Sequence, residues 1–164
     1  MKILLLVFLV LSSQAIFGQA EKIERAGEPT IYNVDTEDEE INEAIRKSRL
    51  TFGEFISAFK SKNSSQRTFA VKMPFATEYG AEHIWLTSLE LKGDKLFGLV
   101  DNLPQSVNTV RLGDLVEINE EKISDWFYIE NDKLIGGLTI RVLRDRMSKS
   151  ERKRFDRTLG ATID

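Results

Sequence analysis

The chain has 164 residues, of which 41% are hydrophobic and 30% charged, a composition typical of one globular domain. Cysteine is absent, which excludes disulfides, thiolate metal sites and a cysteine nucleophile. The single histidine, His83, excludes any site that needs two imidazoles from one chain. With a net charge of −3 and a pI near 5.4, the chain has no general attraction for nucleic acid or anionic lipid.

The first twenty residues have the pattern of a secretory signal peptide. Lys2 supplies a positive start, residues 3–11 are an unbroken apolar run, and Gly18 and Ala20 place small residues at a cleavage site. The apolar run is far shorter than the roughly 20 residues that a membrane span needs, which disfavours a retained anchor or a buried helix. We therefore predict an exported protein, periplasmic or secreted, with no transmembrane span after cleavage. The cut is expected after Ala20 or, alternatively, after Gly18.

Residues 21–34 mix charges with Gly27 and Pro29 without any period, which indicates a flexible lead-in. Residues 35–164 are expected to form one domain. Apolar residues at spacings of three and four predict one long amphipathic helix from the acidic segment 35–43 to about Lys60. Thr36 and Glu39 fit a capping box at its start, and Gly53 is placed to bend it.

A change to a period of two predicts a series of short antiparallel strands. They cover residues 69–73 (ended by Pro74), 82–91, 96–101, 115–118, 125–130 and 133–136, with 105–112 as a weaker, irregular strand. Residues 92–95 and 131–132 fit hairpin turns. Residues 125–130 are apolar on both sides, which favours a central strand. In 82–91, one face is expected to carry Trp85, Thr87, Leu89 and Leu91, and the other Ile84 and Leu86.

The C-terminal part is predicted to be helical. Residues 138–146 are ambiguous, because their β-branched residues favour a strand while the spacing of Ile140, Leu143 and Met147 favours a helix, which we prefer. Ser148 and Glu151 form a capping box that starts a short helix ended by Gly160. The predicted class is α+β, a long N-terminal amphipathic helix packed on a curved antiparallel sheet, with a short C-terminal helix. The serial hairpins are compatible with a small barrel, and a flat sheet covered by the helix fits equally well.

His83 and three aspartates are the candidates for acid/base chemistry. His83 could act as a general base or metal ligand beside Asp101 or Asp125, although a strand histidine bonded to backbone is the simpler interpretation. Asp101, Asp114 and Asp125 lie at strand ends, where two of them could pair. Aspartates at such positions more often bond turn amides, which is the interpretation we favour. No metal or cofactor motif is visible, so neither is predicted.

Aromatic and charged segments suggest possible binding surfaces. Trp85, Trp126, Phe127 and Tyr128 could line a groove for a peptide or glycan, although aromatic residues on strands are usually core; Trp126 and Tyr128 share a face and are the best candidates for exposure. Gly136-Gly137 could form an anion-binding nest, but a turn is simpler. The basic residues of 141–157 and the acidic residues of 35–43 could form a docking or anionic-lipid surface. Two solvated helix faces, paired with each other or not, are the interpretation we favour.

Seven stretches, in this order, resemble one bacterial family. They are residues 38–55, 69–72, 82–86, 98–102, 113–116, 124–128 and 136–144, the Asp-Trp aromatic strand followed by Gly-Gly and Thr-Ile-Arg being the most specific. From about residue 38 to 160 the chain is similar to the YegJ-like domain of unknown function. That family has no established activity, so the resemblance implies domain limits and no catalytic residues.

Taken together, the sequence predicts a non-catalytic binding or interaction domain of the bacterial cell envelope, whose partner is an unknown protein or envelope component. The candidate binding residues are His83, Trp85, Asp101, Asp125, Trp126 and Tyr128. One alternative is a small hydrolase that uses His83 with Asp101 or Asp125. A third hypothesis is a protein that neutralises a toxin by binding it.

Overall fold

A six-stranded antiparallel sheet forms the centre of the fold. The computed structural model describes residues 21–25, 28–33, 38–78 and 80–164. Its strands are β1 Glu21–Arg25, β2 Glu28–Asn33, β3 Gln66–Thr77, β4 Gly80–Lys92, β5 Lys95–Val100, β6 Leu115–Glu117, β7 Asp125–Glu130 and β8 Lys133–Gly136. Its helices are α1 Glu39–Leu50, α2 Phe52–Ser61, α3 Leu138–Asp145 and α4 Lys149–Leu159, with a 3₁₀ turn at Glu120–Lys122.

The strands are ordered β6-β5-β4-β3-β7-β8, and all described neighbours are antiparallel. The predicted α+β class is confirmed. Because β6 and β8 are the two edges and do not pair with each other, the sheet is open, and the barrel alternative is wrong. β7 is not in the middle of the order, but it lies between β3 and β8 and is buried on both faces, as its apolar sequence predicts.

Short-range chemistry fixes the hairpins and the last helix. Lys92 pairs with Lys95 across the first predicted turn, and Glu130 pairs with Lys133 across the second. Asn131 and Asp132 both adopt positive φ, which suits the type I′ geometry of a two-residue hairpin. The predicted helix over 138–146 is present as α3, and the Ser148–Glu151 capping box opens α4.

A bulge in β4 reverses one predicted face. The pairing of β4 with β5 shifts between Thr87 and Glu90, and Ser88 adopts a φ of +48°. One extra residue in a strand moves the following side chains to the other face. Leu89 and Leu91 therefore pack into the main core with Ile84 and Leu86, and their predicted position beside Trp85 is wrong.

Two other predicted strand limits are wrong. Pro74 does not end β3; it pairs with His83 inside the strand. β7 pairs with β3 only as far as Lys72. Pro74 therefore has no β7 partner to which a backbone N–H would have to donate. Residues 105–112 form no strand; instead, Glu82 accepts hydrogen bonds from the backbone amides of residues 105–107 and holds this segment as an irregular loop.

The predicted long helix is two helices. The break lies at Thr51, not at Gly53, and the Thr51 hydroxyl donates to the Lys47 carbonyl oxygen at 2.9 Å. Such a bond from a threonine to the preceding turn bends helices. Asp38, not Thr36, caps α1, because its carboxylate accepts from the Ile41 amide at 3.1 Å; Thr36 lies outside the described residues.

Two apolar layers hold the helices to the sheet. The main core packs α2 and the loop between β5 and β7 on one face, around Phe55, Ile84, Leu86 and Trp126. The smaller core packs α3 and α4 on the other face, around Ala70, Phe127 and Leu134. Residues 21–25 and 28–33, where the sequence predicts no regular element, pair as a two-stranded antiparallel hairpin. The predicted signal peptide lies outside the described residues.

Candidate functional site

The aromatic residues of β7 are core residues. Trp126 is 3% exposed and Tyr128 9%, and both pack against Phe55 of α2. The Trp126 indole nitrogen donates to the Ser48 carbonyl oxygen at 2.8 Å, which satisfies its polar group internally. The core interpretation of these residues is confirmed, and their exposure on a groove is wrong.

Asp125 is neither a turn residue nor a free carboxylate. It is fully buried at the start of β7 and accepts five hydrogen bonds from described residues. The donors are the Ser48 hydroxyl at 3.0 Å, the backbone amides of Trp126, Leu138 and Thr139 at 2.8, 3.1 and 2.9 Å, and the Thr139 hydroxyl at 2.5 Å. Two of these amides are the first of α3, so a carboxylate from a strand caps the helix and stabilises its positive end.

Gly136-Gly137 makes this arrangement possible. Gly137 has a φ of +63° and is the residue before α3, and it offers no side chain to cap the helix. A Cβ on Gly136, whose φ is +76°, would lie 2.4 Å from the Trp126 carbonyl oxygen and 2.6 Å from its ring. The turn interpretation is confirmed, and the amides that follow the turn are occupied by Asp125 rather than by an external anion.

The His83–aspartate pair that the hydrolase hypothesis needs has no support in these contacts. None of the five donors on Asp125 is His83. Asp114 accepts from the Arg111 amide at 2.8 Å in a turn, as predicted. Across the described ranges, no three histidine, aspartate or glutamate side chains converge as a metal site. In the same part of the chain, no helix combines the length and apolarity that a bilayer crossing requires.

Three of the predicted site residues do meet on one face of the sheet. In the strand pairing, Lys72 of β3 is flanked by Asp125 of β7 and by Trp85 of β4, and His83 lies two residues before Trp85 on the same face. The Lys72 ammonium lies 5.2 Å from the centre of the half-buried Trp85 ring. The sequence does not single out Lys72, because a lysine between Val71 and Met73 has the pattern of an ordinary solvent-facing position.

The charges around His83 are positive. Although its side chain reaches the surface, desolvation by the surrounding chain and the nearby charges of Lys72 and Arg49 lower the pKa of His83 to about 4. Arg49, at the end of α1, donates from Nε to the Ile123 carbonyl oxygen at 2.7 Å. We call Lys72, Arg49, His83 and Trp85 the cationic cluster.

His83 offers a direct test of these electrostatics. In the unfolded chain His83 binds a proton near pH 6.5, whereas in the folded chain it does so near pH 4. Between these two pH values His83 binds more protons in the unfolded chain than in the folded one. The histidine therefore contributes stability above pH 6.5, and this stability is lost as the pH falls towards 4. As the pH is lowered from 6.5 to 4, we expect the free energy of unfolding to fall more steeply in the native chain than in His83→Gln. Equal slopes in urea titrations of the two would contradict the arrangement.

Beyond Trp85 no described helix covers the same face of the sheet. We call Trp85, Thr87, Phe97, Leu99 and Leu115 the open face. They share one side of β4, β5 and β6, because Leu99 pairs with Leu115 and Thr87, while the alternate residues Leu86, Leu96 and Val100 enter the main core. Leu115 is 46% exposed and the other four are half-buried. Helices α3 and α4 pack on the β3, β7 and β8 side of this face, which leaves β4–β6 without a covering helix among the described elements.

The acidic and basic segments pair in part, a possibility that the sequence left open. Arg146 bonds the carboxylates of Asp38 and Glu40 and so joins the end of α3 to the start of α1. Arg144 and Asp156 form a bidentate pair at 2.7 and 2.8 Å. Four of the other basic residues border a shallow groove of about 550 Å³ beside α4, lined by Lys149, Arg152, Lys153, Asp156, Arg157, Ala161 and Thr162.

Comparison with known proteins places the chain in a family. Residues 38–163 match the model of the domain of unknown function DUF2314, described as an uncharacterised protein conserved in bacteria. The chain belongs to this family. The match covers the whole α1–α4 unit, and the resemblance to the YegJ-like family is confirmed.

Two relatives match most of the chain. The chain is 31% identical over 150 residues to the uncharacterised protein YegJ of Escherichia coli (strain K12), and the alignment covers 92% of each protein. It is 32% identical over 142 residues to a putative ankyrin repeat protein of Neisseria meningitidis serogroup B, covering 82% of this chain but 56% of that one. The family domain therefore also occurs within a longer protein. No solved structure matches the chain significantly.

Proposed function

We propose that this chain is an exported, non-catalytic binding domain of the bacterial cell envelope that holds a protein partner on the open face. The observation that carries the proposal is the set of half-buried and exposed apolar side chains on β4–β6. No described helix covers them, whereas α3 and α4 cover the rest of this face. Contiguous apolar surface rimmed by charge is characteristic of interaction sites. Here the rim includes the ion pairs Lys95–Glu117 at 2.9 Å and Lys92–Glu90 at 3.1 Å.

The chemistry of the site argues against catalysis as the main role. The one deeply buried carboxylate of the predicted set, Asp125, is used to cap α3, and all five of its hydrogen bonds serve the fold. His83 has cationic neighbours that weaken it as a base at neutral pH. A relative named as a putative ankyrin repeat protein agrees with a role in protein interaction, because such repeats form extended binding surfaces.

Export is proposed from residues 1–20 alone. A short positive start, an apolar run and small residues at a cleavage site are the features that signal peptidase recognises. We expect the protein isolated from its own host to begin at residue 21 or residue 19. Intact mass spectrometry of the tagged, natively expressed protein measures this, and material that begins at Met1 would contradict export with cleavage.

The binding proposal is tested with two exposed leucines. The tagged full chain is purified from its own envelope fraction in three forms: native, Leu115→Thr on the open face and Leu50→Thr on α1. Leu50 is 71% exposed and Leu115 46%, so non-specific hydrophobic capture would depend more on Leu50. We expect Leu115→Thr to reduce recovery of the partner by about tenfold, the loss of one apolar anchor, and Leu50→Thr to leave it unchanged.

If recovery of the partner depended on Leu50 and not on Leu115, the contact surface would be α1 rather than the open face, which would contradict the proposal. Failure of the native chain to retain any envelope protein would contradict binding altogether. The identity of the retained protein separates a structural partner from a toxin held in an inactive complex.

A further inference from the structure

The Lys72 ammonium has no hydrogen-bonding partner among the residues that the structure describes, and the Asp125 carboxylate acts on it only through its charge. The ammonium belongs to a half-buried residue in the middle of the sheet, and burial lowers its pKa. Its direct contact is the Trp85 ring at 5.2 Å, and it makes no hydrogen bond or ion pair with any other residue that the structure describes. Burial that disfavours the charged form makes this ammonium a group that a nearby anion would stabilise.

A second cation and a neutral imidazole face the same place. The Arg49 guanidinium bonds one backbone carbonyl and has no ion pair within the described ranges. His83 lies next to Trp85 on the Lys72 face and carries no charge at neutral pH, so one of its ring nitrogens can donate. The neighbouring Glu82 is already bonded to the backbone amides of residues 105–107 and does not supply the missing anion.

The net charge of the cationic cluster and its neighbour Asp125 indicates the charge of the ligand. Lys72 and Arg49 contribute two positive charges, and the Asp125 carboxylate on the adjacent strand offsets one of them. One positive charge remains, which matches a monoanion. The Trp85 ring beside it suits the methylene groups that carry a carboxylate in acidic side chains.

We propose that Lys72, Arg49 and His83, beside the Trp85 ring, form a binding site for a carboxylate carried by an acidic side chain of the protein partner. This site deepens the proposed function and rests on it: Trp85 belongs to both the cationic cluster and the open face. A carboxylate bound here would place its protein across Leu99 and Leu115. The salt link would give the contact a defined position, because Lys72 is held by its strand.

The single histidine makes the site measurable. The ring signals of His83 are followed by NMR in the folded full chain, at pH 6.5 and constant ionic strength, while sodium acetate replaces sodium chloride. We expect a saturable shift of the His83 and Trp85 ring signals, because a bound anion changes the charge beside both rings.

Three variants decide where acetate binds. Lys72→Met, which keeps the length of the side chain, is expected to weaken acetate binding at least about tenfold and to raise the His83 pKa by itself. Arg49→Gln is expected to do the same to a smaller extent, and it keeps the test open if Lys72→Met fails to fold. Lys153→Met, in the groove beside α4, is the matched control and is expected to leave both unchanged.

Several outcomes would overturn the site. The site would be contradicted if acetate shifted no His83 signal. It would also be contradicted if the acetate-induced shift were lost in Lys153→Met and kept in Lys72→Met. Phosphate binding more tightly than acetate at equal ionic strength would show that the site takes a dianion and would contradict the carboxylate. A loss of acetate binding leaves the proposed function intact if partner recovery still depends on Leu115, so the two proposals fail separately.

Discussion

Replacing Asp125 by asparagine is expected to lower the free energy of unfolding by about 3–5 kcal/mol, the cost of breaking a buried, fully bonded charge. The carboxylate accepts from five donors, three of them backbone amides that cannot move away. An asparagine keeps one acceptor oxygen and presents its NH₂ group to the remaining donors. The first turn of α3 and the Ser48 bond to α1 would lose their shared partner. Urea unfolding at pH 7 measures the effect.

Asp101→Asn is the matched control for that substitution. Asp101 is exposed at the end of β5, and we expect its replacement to change stability by no more than about 0.5 kcal/mol. If Asp125→Asn cost as little as the control, Asp125 would not be the cap of α3 and would be free for another role. That result would favour the hydrolase hypothesis, which needs an available carboxylate.

Replacing Gly136 by alanine is expected to cost about 3 kcal/mol. Its φ of +76° is unfavourable for a residue with a Cβ, and the added carbon would meet the Trp126 carbonyl oxygen at 2.4 Å and the Trp126 ring at 2.6 Å. Trp126 cannot give way, because its ring is packed against Phe55 and its indole nitrogen is bonded to Ser48. Thermal or urea unfolding, with the near-ultraviolet signal of Trp126, reports both stability and packing.

Gly93 separates the two causes of this loss. Its φ is +62°, but a Cβ there would meet no atom within 4 Å. Gly93→Ala should therefore show the backbone cost alone, about 1 kcal/mol. Equal losses at Gly93 and Gly136 would mean that the contact with Trp126 is not close and would contradict the described packing of the β8–α3 turn.

The elements that the sequence predicts well are those decided by neighbouring residues. Asn131 and Asp132 accept the positive φ of a tight hairpin, and Ser148 with Glu151 satisfies the first amides of α4. The errors lie where distant residues decide. Ser88 forms a bulge against β5, Pro74 is tolerated because β7 stops at Lys72, and Asp38 caps α1 with Arg146 holding its carboxylate.

The candidate site is predicted only in part for the same reason. His83 and Trp85 are conspicuous as a lone imidazole and a strand tryptophan, and the structure places both beside Lys72. Lys72 and Arg49 carry no local signal, because only the pairing of β3 with β4 and the packing of α1 bring them together. Asp125 is noticed in the sequence, but its role depends on the approach of α3, which no pattern within residues 125–130 encodes.

Site-specific photo-crosslinking tests the central claim that the open face is the contact surface. A photoreactive phenylalanine analogue is placed at Leu115 in one form of the full chain and at Leu50 in another, and both are illuminated in the native host. We expect one discrete crosslinked protein from position 115 and none from position 50, although Leu50 is the more exposed side chain. A discrete product from position 50 with none from position 115 would contradict that claim.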